Sequence, residues 1–203
     1  FSEIFLDKFI KNQTKEGWWS EYEGPDIGYL SVTLNYLAEY YSLNKKINLL
    51  ISLKKCSSFI KNFIINPKIN IGGSYMSRNT NYIIPTGFLR LMRLDKNCDQ
   101  IFNYSYRNYQ LDNSLVKLSM DDRYSLYFSH FILSCGLFLK NEVKDLKFSK
   151  LNIEYNDTYY KDSKIMIIKK KNFSFIANFK KGGCFHFYSK KNTIDNGIFV
   201  KYK

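Results

Sequence analysis

The chain has 203 residues, 45% of them hydrophobic and 18% aromatic, which supplies one good core, or a medium core with part of a second, and excludes a disordered protein. No run approaches the ~18 consecutive apolar residues of a membrane-crossing helix, so no membrane span is expected. The formal net charge of +13 does not point to nucleic acid, because only five of the 31 basic residues are arginine and no nucleic-acid motif is present.

Residues Phe1 to Ile10 mix polar and apolar side chains, unlike a signal peptide, and read as the last turns of an amphipathic helix. The expectation is therefore a portion of a longer protein. Gly17 to Tyr29 follows, holding four aromatics, three carboxylates, three glycines and a proline. A plain connector is short and polar; this one gathers aromatic faces and acids at the mouth of a helix, as a sugar site requires. Leu30, Leu34, Leu37 and Tyr41 then recur at helical spacing, with Tyr36 and Tyr40 widening the face. A second helix is expected from about Lys45 to Ile65, with Ile47, Leu50, Ile51, Phe59, Ile60, Phe63 and Ile64 as its stripe. Asn66-Pro67 ends it, and Leu43 to Lys45 joins the two helices as an antiparallel hairpin.

Residues 67–82 read as a long loop, kept ordered by Tyr75, Met76 and Tyr82. A short helix begins near Pro85 and carries Phe88, Leu91, Met92 and Leu94; residues 95–119 read as less regular. Ser119 to Asp122 caps a strong helix through Leu139, whose buried side is Tyr124, Tyr127, Phe128, Phe131, Ile132 and Leu139. After Lys140 the period becomes alternating. Lys164–Lys170, Phe173–Phe179, Phe185–Tyr188 and Ile198–Tyr202 read as strands, with Lys180 to Gly183 as a hairpin turn. The class is α+β: helical residues 1–145, then an antiparallel sheet in 146–203. About four strands bury two faces poorly, a second sign of a longer protein.

The lysines have a dull explanation, since Lys, Asn, Ile, Phe and Tyr share A/T-rich codons. A basic surface would nonetheless hold an acidic polysaccharide. Cys56, Cys98, Cys135 and Cys184 are scattered and read as buried small hydrophobes. His130 and His186 are the only histidines, which excludes a metal site built mainly from imidazole within this chain; no metal or cofactor is expected. Glu21, Glu23 and Asp26 fit a cap for the following helix better than a glycosidase pair.

The run Glu16 to Tyr29 with its Glu23-Gly24-Pro25, continued by Leu30–Tyr41, resembles the tyrosine-bearing segment of heparinase II/III-like polysaccharide lyases. The Gly72–Phe88 loop, Asp121 to Tyr124, and the strand pair Phe173–Phe187 with its Lys-Lys-Gly-Gly turn look similar to relatives of these lyases. The family's upstream Asn/His segment has no counterpart in this sequence. The resemblance implies the end of an (α/α) toroid followed by the first strands of a β-sandwich. It implies β-elimination on a uronate-containing polysaccharide, and a periplasmic or secreted location. A tyrosine takes the proton beside the sugar carboxylate and returns one to the leaving oxygen, while an amide or cation neutralises that carboxylate. By position Tyr29 is the candidate acid/base. Arg78 and Asn79 are candidate carboxylate or hydroxyl binders, and Trp18, Trp19 and Tyr22 candidate sugar-stacking faces. His186 falls in a strand of the part where these lyases usually place one histidine. The competing class is a non-catalytic glycan-binding or surface-polysaccharide assembly protein on the same scaffold. A weaker third is a glycoside hydrolase using Glu21 or Glu23.

Overall fold

The computed structural model describes residues 2–66, 69–110, 122–142, 149–189 and 193–195. Among these, six α-helices precede a five-stranded antiparallel sheet, the α+β order expected from the change of period. Helix α1 (Ser2–Lys11) leads into the aromatic turn. Helices α2 (Ile27–Asn44) and α3 (Ile47–Asn62) follow, joined only by Lys45 and Lys46. Lys45 adopts the left-handed conformation (φ 51°) and its N–H donates to the Tyr41 carbonyl, which stops α2.

Helix α2 is the axis of the helical part. It buries Ile27, Leu30, Ser31, Leu34, Asn35, Ala38 and Tyr41 at three- and four-residue spacing. Both α3 and α4 (Thr86–Leu91) pack on it. Its polar members serve the α4 side: Ser31 Oγ accepts from Ile84 N at 2.9 Å, and the Thr86 hydroxyl donates to Asn35 Oδ1. Burial therefore falls on small and polar residues that a count of large hydrophobes passes over, and Tyr36 is exposed instead of widening the buried face. The stripe of α3 also differs from expectation. Ile47 and Ile51 are exposed, whereas Leu49, Leu53 and Cys56 are fully buried, because α1, α2 and α5 all pack on this helix.

Helix α3 ends at Asn62, before Asn66-Pro67; Ile64–Asn66 forms strand β1, paired with β2 (Ile69–Asn70), and Pro67 lies outside the described residues. Residues 71–85 then run irregularly around one 3-10 turn, Gly73–Tyr75, with Tyr75, Met76 and Tyr82 buried. Leu94, expected on the short helix, is exposed beyond its end. Helix α5 (Lys96–Gln110) occupies a stretch read as irregular. Its buried face is half polar, which hides the helical period: Asp99 accepts from Ser149 N, Gln100 from Asn152 N, and Asn103 donates to Ser149 O. Helix α6 (Asp122–Glu142) matches the expected strong helix, with Phe131 buried and Leu139 half-buried. Residues 119–121 and the side chains of Asp122, Tyr124, Tyr127, Phe128 and Ile132 lie outside the described residues.

The sheet is a simple meander of β3 (Asp157–Tyr160), β4 (Ile165–Lys169), β5 (Phe173–Asn178), β6 (Cys184–Ser189) and β7 (Thr193–Asp195). The short outer strands β3 and β7 lack the apolar alternation that marks the central three. The expected strand at 198–202 lies outside the described residues. Gly182 and Gly183 at φ 70° and 75° close the β5–β6 turn, a conformation glycine adopts without strain. The sheet's inner face, with Tyr160, Ile165, Ile167 and Ile176, joins the same hydrophobic cluster as Phe59, Phe63 and Phe102 of the helical part. Tyr160 sits 4.9 Å from Phe59, ring to ring, and its hydroxyl accepts from Asn62 Nδ2.

Lys169 continues the inward side of β4 and is buried, its ammonium donating to the Ile64 carbonyl at 3.2 Å. Burial pushes its pKa down to about 8; Glu154 opposes the shift and Lys61 adds to it. A cation whose folded pKa is depressed costs stability at neutral pH, and the cost is relieved as pH rises from about 8 toward the unfolded value of about 10.5. Lys169→Met should therefore raise stability at pH 7 by about 2–3 kcal/mol. The gain should fade by pH 10.5, as read by urea denaturation of both proteins at the two pH values.

Candidate active site

Asp26 organises this region. Its side chain is fully buried and caps α2, Oδ1 accepting from Tyr29 N at 3.1 Å. The same carboxylate holds the 76–80 segment: Oδ2 accepts from Arg78 N at 3.0 Å and from Thr80 N at 3.2 Å, and the Thr80 hydroxyl donates to Oδ1. Thr80 Oγ1 in turn accepts from Gly28 N at 3.1 Å. A Cβ at Gly28 would lie 2.2 Å from that oxygen and 2.8 Å from the Tyr82 ring, so only glycine lets the loop seat on the first turn of α2. Asp26 is thus a cap, as its position predicted, and is saturated; it is no member of a glycosidase pair.

The clamp places Arg78 beside Tyr29. Arg78 Nη2 donates to the Tyr29 hydroxyl at 3.0 Å. The guanidinium carbon lies 4.3 Å from the Tyr22 ring centre and 4.9 Å from that of Tyr29, and Nε is 3.9 Å from Glu21 Oε1. The bond to Tyr29 holds the guanidinium above its ordinary range, so it stays a cation throughout. Tyr22 and Glu23 reach this arrangement through a strained turn, with φ values of 52° and 66°, closed by Glu21 N donating to Gly24 O at 2.8 Å. Left-handed backbone at two consecutive non-glycine residues costs about 1 kcal/mol or more each, and such strain concentrates at functional sites. Its result is an exposed tyrosine ring laid over the guanidinium.

Of the residues singled out in the sequence, Tyr22, Tyr29 and Arg78 come together, with Glu21 beside them. Asn79 follows directly, but its Oδ1 accepts from Lys181 Nζ at 2.6 Å. Trp18 and Trp19 are a correction: at 5% and 7% exposure both belong to the core, so neither offers an open stacking face. Each indole N–H is bound within the chain, Trp18 to Glu16 Oε2 at 2.7 Å and Trp19 to the Phe9 carbonyl at 2.9 Å, and Phe9 covers Trp19 at 5.0 Å. His186 is buried in β6, edge-on to Tyr75 at 6.1 Å.

Lys180 and Lys181, read in the sequence only as a turn, complete the surroundings. Lys180 Nζ donates to the Glu23 carbonyl at 2.8 Å and Lys181 Nζ to the Met76 carbonyl at 2.7 Å, so the β5–β6 turn grips both the aromatic turn and the loop. Two lysines before Gly-Gly look like any solvated charge pair until the fold brings the turn here. Among the described residues, no group of three or more His, Cys, Asp or Glu could hold a metal ion. Cys56, Cys98 and Cys135 form no disulfide among the described residues, and burial pushes the Cys135 thiol up to about 12 and those of Cys56 and Cys98 upward, away from nucleophilic chemistry.

The site can hold a charged oxygen and move a proton. A guanidinium donating to a phenol oxygen stabilises negative charge developing there, and it carries further N–H donors beyond that bond. No protein-family model matches the chain, no curated protein matches it, and no solved structure matches it.

Asp26→Ala should cost about 3–5 kcal/mol, the lost cap together with two orphaned amides, and should speed hydrogen exchange at the Arg78 and Thr80 amides. Trp18→Ala and Trp19→Ala should each cost about 3–5 kcal/mol in chemical denaturation, the behaviour of core rings.

Proposed function

We propose that this chain carries the elimination site of a heparinase II/III-like polysaccharide lyase acting on a uronate-containing glycan. The observation behind the reading is the Arg78 guanidinium donating to the Tyr29 hydroxyl at 3.0 Å on a solvent-reaching surface. On this reading residues 1–145 are the helical portion of an (α/α) toroid, and 146–203 begin the β-sandwich.

The chemistry follows from what these groups can do. Removing the proton next to a sugar carboxylate leaves charge on that carboxylate, so a cation must face it; Arg78 has donors left for this task. Tyr29 accepts the proton as a phenolate held against the guanidinium and returns one to the departing oxygen. Tyr22, exposed and stacked on Arg78, offers its outer face to a sugar ring. Glu21, its carboxylate oxygen 3.9 Å from Nε, balances the charge of the arginine.

Incubation of the protein with uronate polysaccharides should release an unsaturated uronate. Tyr29→Phe should lower turnover by about 10²–10⁴-fold with glycan affinity nearly unchanged. Unchanged turnover in that variant would remove Tyr29 from the chemistry. Glycan binding by the wild type without any unsaturated product would favour the second reading, a non-catalytic glycan-binding or assembly protein using the same Tyr22–Arg78 surface.

A further inference from the structure

A cavity adjoins the Tyr29–Arg78 pair through Tyr22 and serves none of the steps above. It has a volume of about 180 Å³ and is lined by Tyr22, Ser77, Ser163, Asn178, Lys180 and Lys181, among others. Tyr22 forms part of its wall while its ring stacks on Arg78, so the two sites share one residue. At ~30 Å³ for each water of bulk liquid, the space suits one charged oxygen group and an edge of the ring that bears it.

Three features of this cavity favour an anion. Lys180 and Lys181 both line it, and among the described residues neither ammonium pairs with a carboxylate; their partners are the Glu23 and Met76 carbonyls and Asn79 Oδ1. An ammonium has three donors, so Lys180 keeps two and Lys181 one beyond these bonds. The lysines are also held in place. Asn178 Oδ1 accepts from the backbone N–H of both, at 2.9 and 3.2 Å, and Asn178 Nδ2 donates to the Tyr75 carbonyl. Finally, Ser163 lines the cavity fully buried, and its hydroxyl meets no hydrogen-bond partner among the described residues. A buried hydroxyl left unsatisfied is costly, and this one lines the same cavity as the two lysines. Among the described residues Glu23 is the one carboxylate lining the cavity, against two ammonium groups, and Lys180 is met by its main-chain oxygen.

We propose that this cavity is an anion-binding subsite, in which Lys180, Lys181 and the Ser163 hydroxyl hold a carboxylate or sulfate group. That this group belongs to a sugar neighbouring the one at Tyr29 rests on the lyase reading; the subsite itself does not. It makes a ligand with two nearby anionic groups the preferred one, and Lys180 and Ser163 the residues that select it.

The test is a titration of the whole protein with sodium glucuronate and, separately, sodium sulfate, followed by amide NMR shifts at Ser163, Asn178 and Lys181. Saturable shifts at these amides are expected, and the probe that binds more tightly identifies carboxylate or sulfate as the group held. Lys180→Met should weaken binding about tenfold, the loss of a charge-assisted bond, and Ser163→Ala about fivefold. Ser163→Ala removes only an unsatisfied hydroxyl, so its melting temperature should stay level or rise and its folding is not at risk. Tyr29→Phe should leave small-anion binding unchanged even where elimination is lost, so failure of the lyase reading and failure of the subsite are told apart. Absence of saturable shifts with both probes, or equal affinities in wild type, Lys180→Met and Ser163→Ala, would overturn the proposal.

Discussion

One buried carboxylate holds the functional end of this molecule together. Asp26 takes the Tyr29 amide in the first turn of α2 and two amides and a hydroxyl of a loop more than fifty residues away. A buried carboxylate is tolerable only when its lone pairs are filled, and here every donor comes from backbone or side chain placed by the fold. The consequence is geometric. Arg78 hangs from the loop, Tyr29 from the helix, and a single acceptor group sets the register between them. Gly28 makes the same contact possible by leaving room for Thr80.

Around that clamp three segments converge that are far apart in the chain: the aromatic turn, the loop of residues 71–85, and the β5–β6 turn. The sheet contributes more than cover. Asn178 fixes the lysine turn and holds the Tyr75 carbonyl, and the Tyr75 hydroxyl donates to the Phe185 carbonyl at 2.9 Å, so the loop is fastened from the helical side and the sheet side at once. Glu16 does the same further back, accepting from Trp18 and from the amides of Asp162 and Ser163. Helices and sheet share one core, and the candidate sites lie where their loops meet at its edge.

Much of the architecture was legible in the residues. The change of period near Lys140, the Lys-Lys-Gly-Gly turn, the cap before α2 and the three central strands each depend on local pattern, and local pattern is where sequence speaks plainly. Helix α5 was hidden because Asp99, Gln100 and Asn103 face inward to bind a coil segment, so its buried side does not look apolar. Strands β3 and β7 were hidden because they are short outer strands of the described sheet whose sequences carry no apolar alternation. Ile47 and Ile51 misled by being large and apolar yet exposed, since three neighbouring helices chose a different arc of α3.

The site divides in the same way. By itself the sequence determined that Gly17 to Tyr29 is an aromatic turn ahead of a helix, that a carboxylate among Glu21, Glu23 and Asp26 caps that helix, and that Tyr75, Met76 and Tyr82 argue for order in the loop that carries them. Spacing along a chain suffices for those, because capping and turn chemistry act over three or four residues. Only the tertiary structure decided that Trp18 and Trp19 go to the core while Tyr22 stays outside, that Arg78 reaches Tyr29, and that Lys180 and Lys181 join them. Each of those outcomes depends on which surface arrives opposite the residue. That is set by packing and by the filling of buried hydrogen-bond groups across segments up to about 150 residues apart, which no local pattern encodes.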